Sequence, residues 1–204
     1  SILDSSFGVI MPCPEKFKDT MVTFKIPKDI IDDINTGFEN TVSSSPKKEK
    51  AEYFKRATDI LCSHCALDTV HALYEENACC KGGKREKESK AFAKKYKDLS
   101  LVGRISHIEE VPYMGRPTLI GNDTIVIDAV RYFDGERYLC ACSNFNKQKN
   151  LGDIRKDYCY CCAGHFKHQY EIILGVKLKT VEIVSSPLCS SGKMPCVIKY
   201  QIVR

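Results

Sequence analysis

The chain has no tryptophan. It also lacks any apolar run approaching the roughly 18 residues that a membrane helix needs, so a membrane protein is not expected. No secretory hydrophobic region is visible. Because the chain begins at Ser1 rather than at methionine, a leader already removed stays open. Familiar catalytic signatures are missing as well. There is no Walker loop, no dinucleotide glycine fingerprint after a strand and no H-E-x-x-H. Charge of one sign is not concentrated either. The net charge is +5 with 28% charged residues, and the segment KREKESKAFAKKYK from Lys84 to Lys97 alternates both signs. That is the pattern of a solvated helix face rather than of a nucleic-acid stripe.

What is plentiful is sulfur. Twelve of the 204 residues are cysteine, in a chain that is 43% apolar, a composition that suits one globular domain or one domain with appendages. A disulfide framework is disfavoured. Cys79-Cys80 and Cys161-Cys162 are adjacent pairs, which bridge each other only with strain. Most of the remaining cysteines sit in close clusters, and no secretory signal is seen. Reduced thiols and a cytoplasmic location are the expectation.

Residues 1–27 read as irregular or lightly stranded, with the short apolar runs FGVIM and MVTFKI. A short helix is expected after Pro27, carrying Ile30, Ile31, Ile34 and Phe38 at helical spacing. Residues 1–45 are therefore taken as an N-terminal extension and 46–204 as a cysteine-rich domain. Within it, Ser45 is the expected N-cap and Pro46 the first helical residue of a helix through Phe54, Ala57, Leu61 and Cys65 toward Leu73. A second helix is expected from Glu86 to about Leu99, with Phe92, Tyr96 and Leu99 facing the core. LVGRISHI alternates weakly. Beyond it, Thr124–Phe133 reads as a strand. Asp134-Gly135 reads as a hairpin turn with Glu136–Cys142 returning, and Asn122-Asp123 as an earlier turn. A helix from Cys159 to Leu174 follows, then strands near 176–184 and 196–203. The fold class expected is α+β: N-terminal helices plus a C-terminal β-β-α-β-β antiparallel sheet with helices on one face.

The chemistry is carried by Cys140-Ala-Cys142 and by Cys159-Tyr-Cys-Cys-Ala-Gly-His165. On a strand, Cys140 and Cys142 share a face, although two small buried hydrophobes would look the same. Cys159, Cys161 and Cys162 open a helix, where unpaired N–H groups and the dipole favour thiolates. Cys161 or Cys162, with His165 one turn on, is the expected most acidic thiol in the absence of metal, and Cys196 is expected to be a buried strand residue. Four thiolates from Cys140, Cys142, Cys159 and Cys161 would complete a tetrahedral set for zinc, the cofactor expected, or for an iron–sulfur cluster. Cys62-Ser-His-Cys65 adds a Cys-x-x-Cys pair inside a helix, so Cys62 and Cys65 join the metal candidates. Its late position in that helix argues against dithiol redox activity. Cys162, His165 and His64 are the nucleophile or proton-transfer candidates, with His168 a further histidine on the helix; Cys13, Cys189 and Cys196 are isolated.

The stretch from Cys159 to Ile202 resembles the C-terminal part of the 4-vinyl-reductase-like domains. The resemblance lies in a cysteine-bearing turn, a helix ending in Leu174-Gly175, the strand Val181-Glu-Ile-Val-Ser-Ser and a final Gly192-x-x-x-Cys196-Val-Ile. With Cys140-Ala-Cys142 included, the pattern also looks like an uncharacterised cysteine-rich bacterial family related to them. Residues 1–60 carry none of it. The resemblance implies an α/β domain that binds a small molecule in a pocket between helices and sheet, in several members as a sensor holding zinc. In zinc-holding members an acidic residue and a cysteine precede the glycine. Aligned on Gly192, those places fall here at Ser185 and Leu188, with Cys189 one off, so a metal would have to use the Cys140/Cys142/Cys159/Cys161 region.

These readings converge on a metal-binding domain that binds or senses a small molecule. A metalloenzyme or iron–sulfur redox enzyme is the alternative, and a domain with purely structural cysteines is a third. The partners expected are a small-molecule ligand and, as an option, a second copy of the chain, with no nucleic acid and no membrane.

Overall fold

The computed structural model describes residues 12–78, 81–111, 114–129, 132–146 and 151–204. Cys79-Cys80 and Val130-Arg131 lie outside them. The fold is α+β. Among the described residues six helices come first: α1 (Pro14–Thr23), α2 (Lys28–Asn35), α3 (Lys47–His64), α4 (Leu67–Glu76), α5 (Gly83–Lys95) and α6 (Leu101–Ser106). The strands β1 (Arg116–Ile120), β2 (Thr124–Asp128), β3 (Tyr132–Phe133) and β4 (Tyr138–Leu139) follow, then α7 (Tyr160–Leu174), β5 (Lys177–Ser185) and β6 (Val197–Val203). Among the described residues no helix is long and apolar enough to cross a membrane.

Several helices depart from the sequence reading. Of the stretch expected to be irregular, Pro14–Thr23 forms α1, because Pro14 suits a first turn and Phe17, Thr20 and Met21 bury at helical spacing, while residues 1–11, with FGVIM, lie outside the described residues. The long helix expected toward Leu73 breaks at Cys65, whose backbone is extended (φ −119°, ψ 156°), and Pro46 rather than Ser45 is the N-cap. α4 then leaves in its own direction. α5 begins at Gly83 and buries Ser89 and Phe92, while Leu99 is exposed. LVGRISHI yields α6, capped by Ser100 Oγ accepting from the Gly103 amide at 3.2 Å.

The four-stranded sheet has the order β1-β2-β6-β5, antiparallel throughout. Its register aligns Ile125 with Tyr200 and Ile127 with Ile198, which puts all four on the buried face. On β5, Leu178 and Thr180 hold that parity. The register then shifts between Thr180 and Glu182, and Ile183 rather than Glu182 pairs with Ile198. The bulge therefore returns an apolar residue to the core and leaves Val181 exposed. The expected long strand Thr124–Phe133 ends at Asp128. Tyr132–Phe133 instead pairs with Tyr138–Leu139 in a separate two-stranded ribbon. Its turn is closed by the Asp134 carboxylate, which accepts from the amides of Glu136 and Arg137.

α7 lies against the buried sheet face and against α4 and α5. Tyr200 of β6 donates to the Ala163 carbonyl at 2.8 Å, and Ser89 of α5 donates to Gln169 at 2.6 Å. An aromatic core spans the helical half. Phe17 meets Tyr53, Phe54 and Tyr74 edge-on or tilted, and Tyr158, just before α7, packs on Phe54, Tyr74 and Phe145. Each such fully buried ring contributes about 1.5–3 kcal/mol from burial alone.

The crossing of α7 and α4 is close. A β-carbon at Gly164 would lie 2.6 Å from the Glu75 carbonyl oxygen and 3.0 Å from the Ala78 β-carbon. Overpacking there costs about 1–3 kcal/mol, more than the ~1 kcal/mol of helix propensity that alanine adds over glycine. Gly164→Ala is expected to lower the urea midpoint while helical circular dichroism persists. An unchanged midpoint would show that the two backbones do not meet at this residue.

Candidate functional site

β4 stops at Leu139, so Cys140 and Cys142 lie in the segment that follows it rather than on a strand. They still act together. The Cys142 amide donates to Cys140 Sγ at 3.4 Å, and the Cys142 carbonyl accepts from the amides of Phe145 and Asn146, turning the chain back inward. Cys142 is buried, and its sulfur shares a hydrogen bond with the Tyr158 hydroxyl at 3.0 Å. Through Tyr158 this segment is therefore bonded to the aromatic core.

Cys159 ends a 3₁₀ turn, Lys156–Cys159, that runs directly into α7. Cys159, Cys161 and Cys162 are all buried. The Cys159 thiol donates to Ser186 Oγ at 3.2 Å, and its pKa is raised by Cys189, in the 3₁₀ turn Pro187–Cys189, and by burial. Cys189 in turn donates to the Ile154 carbonyl at 2.9 Å. Cys196 sits one residue before β6 and is half-buried, so it is neither within the strand nor fully enclosed.

The thiols of Cys140, Cys142, Cys159, Cys161, Cys162, Cys189 and Cys196 feel one another electrostatically. Burial, then charge on Cys142 and Cys162, holds Cys140 well above the ordinary thiol range. Burial, then Cys162, pushes Cys142 up to about 12. Cys161 is raised by its hydrogen bond to Cys162, then by burial and by Cys162, Cys142 and Cys159. Cys196 is raised by burial, Cys162, Asp128 and Cys189. The expectation that Cys161 would be an acidic thiol is thus reversed. Its helix has no open N-terminus, because the preceding 3₁₀ turn occupies that end, with the Tyr160 amide on the Asp157 carbonyl. The thiol held below the ordinary range is Cys189. Cys159, and then Ser186 and nearby Lys156, favour its thiolate over the opposing effect of burial. Its isolation in the sequence offered no signal for this.

The other candidates lie elsewhere. His165 is buried with Nε2 3.5 Å from the Arg85 guanidinium of α5, and His168 pairs with Glu86 at 2.9 Å. His64 is exposed at the end of α3. Cys65 caps α3. Burial, then Asp157, against the opposing effect of Arg155, pushes Cys62 up to about 11. Asp157 also bonds His71 at 2.8 Å, and the His71 ring stacks on Tyr160 at 3.6 Å between centroids. This polar cluster joins α3, α4 and the start of α7, and no local spacing announces it. Among the described residues no group of three or more His, Cys, Asp or Glu side chains stands ready-made to hold a metal ion.

Cys140 also forms part of the wall of a cleft of about 770 Å³. The β3–β4 ribbon, Phe145 and Asn146, residues 151–154, and Pro187, Leu188, Ser191 and Gly192 make its other walls. Gly192 has φ 79°, and a β-carbon there would lie 2.8 Å from the Arg137 β-carbon. Its carbonyl accepts from the Tyr138 amide at 2.8 Å, which ties the ribbon to this loop. Compared with family models, with curated proteins and with solved structures, the chain matches none.

Two outcomes follow from the thiol environments. In metal-free protein, Cys189 is expected to alkylate first with iodoacetamide as pH is lowered, and Cys161 among the slowest; site-resolved mass spectrometry reads this. Equal rates would remove the case for a tuned thiol. The second concerns stability. The raised thiols keep protons in the folded state that the unfolded chain gives up near pH 9. Stability of the reduced protein should therefore be full below that value and fall as pH rises toward about 12. Chemical denaturation across this range checks the sign, and stability rising with pH would refute it.

Proposed function

We propose that this chain is a cysteine-rich metal-binding domain that binds or senses a small molecule. The observation that carries the reading is the gathering of buried thiols from separate segments around the start of α7, with Cys140 shared between that group and the cleft. In this reading the scaffold is a β-β-α-β-β sheet with helices on one face, and the metal set is Cys140, Cys142, Cys159 and Cys161. The donor chemistry fits. Neighbouring buried thiols raise one another's pKa, so they stay protonated unless a soft cation displaces the protons. Zinc, with tetrahedral thiolate coordination, is the first expectation, and an iron–sulfur cluster the alternative. When bound, such a group would supply a Lewis-acid or electron-accepting centre beside the cleft. The chain's own residues would shield it: Tyr158 and Phe145 pack against the Cys142 side and limit water there. A second reading, a thiol-redox or iron–sulfur enzyme, draws support from the depressed Cys189 thiol.

Metal analysis with an absorption spectrum of anaerobically purified protein tests the proposal. Stoichiometric zinc in a colourless protein is expected, and a brown chromophore would mean iron–sulfur. Cys140→Ser and Cys161→Ser should each weaken binding more than about a hundredfold, since the ~10–16 kcal/mol of a structural zinc site is shared among four ligands. Cys65→Ser should retain the metal. Absence of any metal after supplementation would overturn the reading.

A further inference from the structure

We infer that the cleft takes a small organic polycation of the linear polyamine class, held by free acceptors on separate segments of its wall. The inference rests on the reading of the cleft as a small-molecule site, and not on a metal. The donors that line the cleft are already engaged. The Asp134 carboxylate accepts from the amides of Glu136 and Arg137 at 3.1 and 3.0 Å, and its other oxygen lies 3.5 Å from Arg137 Nε. The Tyr138 amide donates to the Gly192 carbonyl, the Gly192 amide to the Pro187 carbonyl, and the Asn146 amide to the Cys142 carbonyl. An anion would meet these used amides and a guanidinium that already has a carboxylate beside it.

Acceptors are what stay open. Asn146 Oδ1 is buried, belongs to a residue of the wall and has no hydrogen-bond partner. A carbonyl oxygen shut off from water recovers that loss only when a donor reaches it. Glu136, in the β3–β4 turn, and Asp153, in the segment 151–154, add two exposed carboxylates with no ion pair among the described residues. An ammonium group presents only donors and carries the opposite charge, so it matches all three. The half-buried Tyr138 ring gives it an aromatic face as well. The spread of the acceptors selects the shape. Among the described residues no three His, Cys, Asp or Glu side chains are close enough to hold one ion, so a compact divalent cation is poorly served. Amines spaced along a flexible chain can reach acceptors that stand apart, and about 770 Å³ admits such a chain. The net charge of +5 opposes cations in general, so binding of one reports a local site.

The test titrates spermidine into the reduced full chain by calorimetry, with citrate and magnesium as comparison probes. Saturable binding of spermidine is expected, weakening as salt is raised, with no binding of the other two at the cleft. Glu136→Gln and Asp153→Asn should each raise Kd roughly two- to fivefold, the usual strength of an exposed ion pair. Asn146→Ala should raise it about tenfold, as for a lost hydrogen bond to a charged donor. Glu109→Gln removes the same charge from an exposed turn outside the cleft and should leave Kd unchanged. If Asn146→Ala does not fold, the two exposed carboxylate variants decide. No saturable binding of spermidine, or binding that the cleft variants do not weaken, overturns the inference. Citrate bound instead, and lost in Arg137→Ala, also overturns it but leaves the cleft a small-molecule site. Metal content of the same sample keeps the readings apart. Spermidine bound at the cleft by protein that never holds metal upholds this inference and overturns the metal centre.

Discussion

The approach of α7 to α4 at Gly164 is the constraint on which the rest of the structure depends. Two helices can pass with backbone against backbone only where a side chain is missing, and here the missing β-carbon would lie 2.6 Å from a carbonyl oxygen. Once α7 is seated there, Ser89 from α5 and Tyr200 from β6 hold it from other directions. Its first turn then has nowhere to move. Cys159, Cys161 and Cys162 are buried because the helix that begins with them is enclosed, and Tyr158 one residue earlier is locked into the aromatic core.

Within that frame the thiol group has two states of very different cost. A protonated thiol is a small, nearly apolar group and packs like one. A buried thiolate meets both the loss of hydration and the charge of its neighbours, and both raise its pKa. Cys142, Cys159 and Cys161 in the interior, and Cys140 at the cleft, are accordingly held as thiols. Cys189 departs from them because Cys159, and then Ser186 and Lys156, favour its anion over the opposing effect of burial.

Local chemistry was legible where it depended on neighbours in the chain. The Asp134-Gly135 turn closes a hairpin, although a short one outside the main sheet. α7 runs to Leu174 and ends at Gly175 in the left-handed conformation, as its composition implied. α1 was missed because its branched residues mimic a strand while Phe17 and Met21 bury as on a helix. The break at Cys65 was missed because the apolar spacing continues across it, and only the packing of α4 beside α7 requires the chain to turn there.

By itself the sequence determined the composition of a sulfur-rich chain, the pairing of Cys140 with Cys142 and of Cys159 with Cys161 and Cys162, and an α+β class with antiparallel hairpins. Periodicity and short spacing act within one element, and these features are written at that range. Only the tertiary structure decided that Cys189 and Cys196, isolated in the chain, face the same thiols, that His165 turns toward Arg85, and that Cys62 meets Asp157 and Arg155. Those neighbours are separated by tens of residues. They are brought together by the burial of α7 between helices and sheet, a force that depends on area removed from water and carries no local signature.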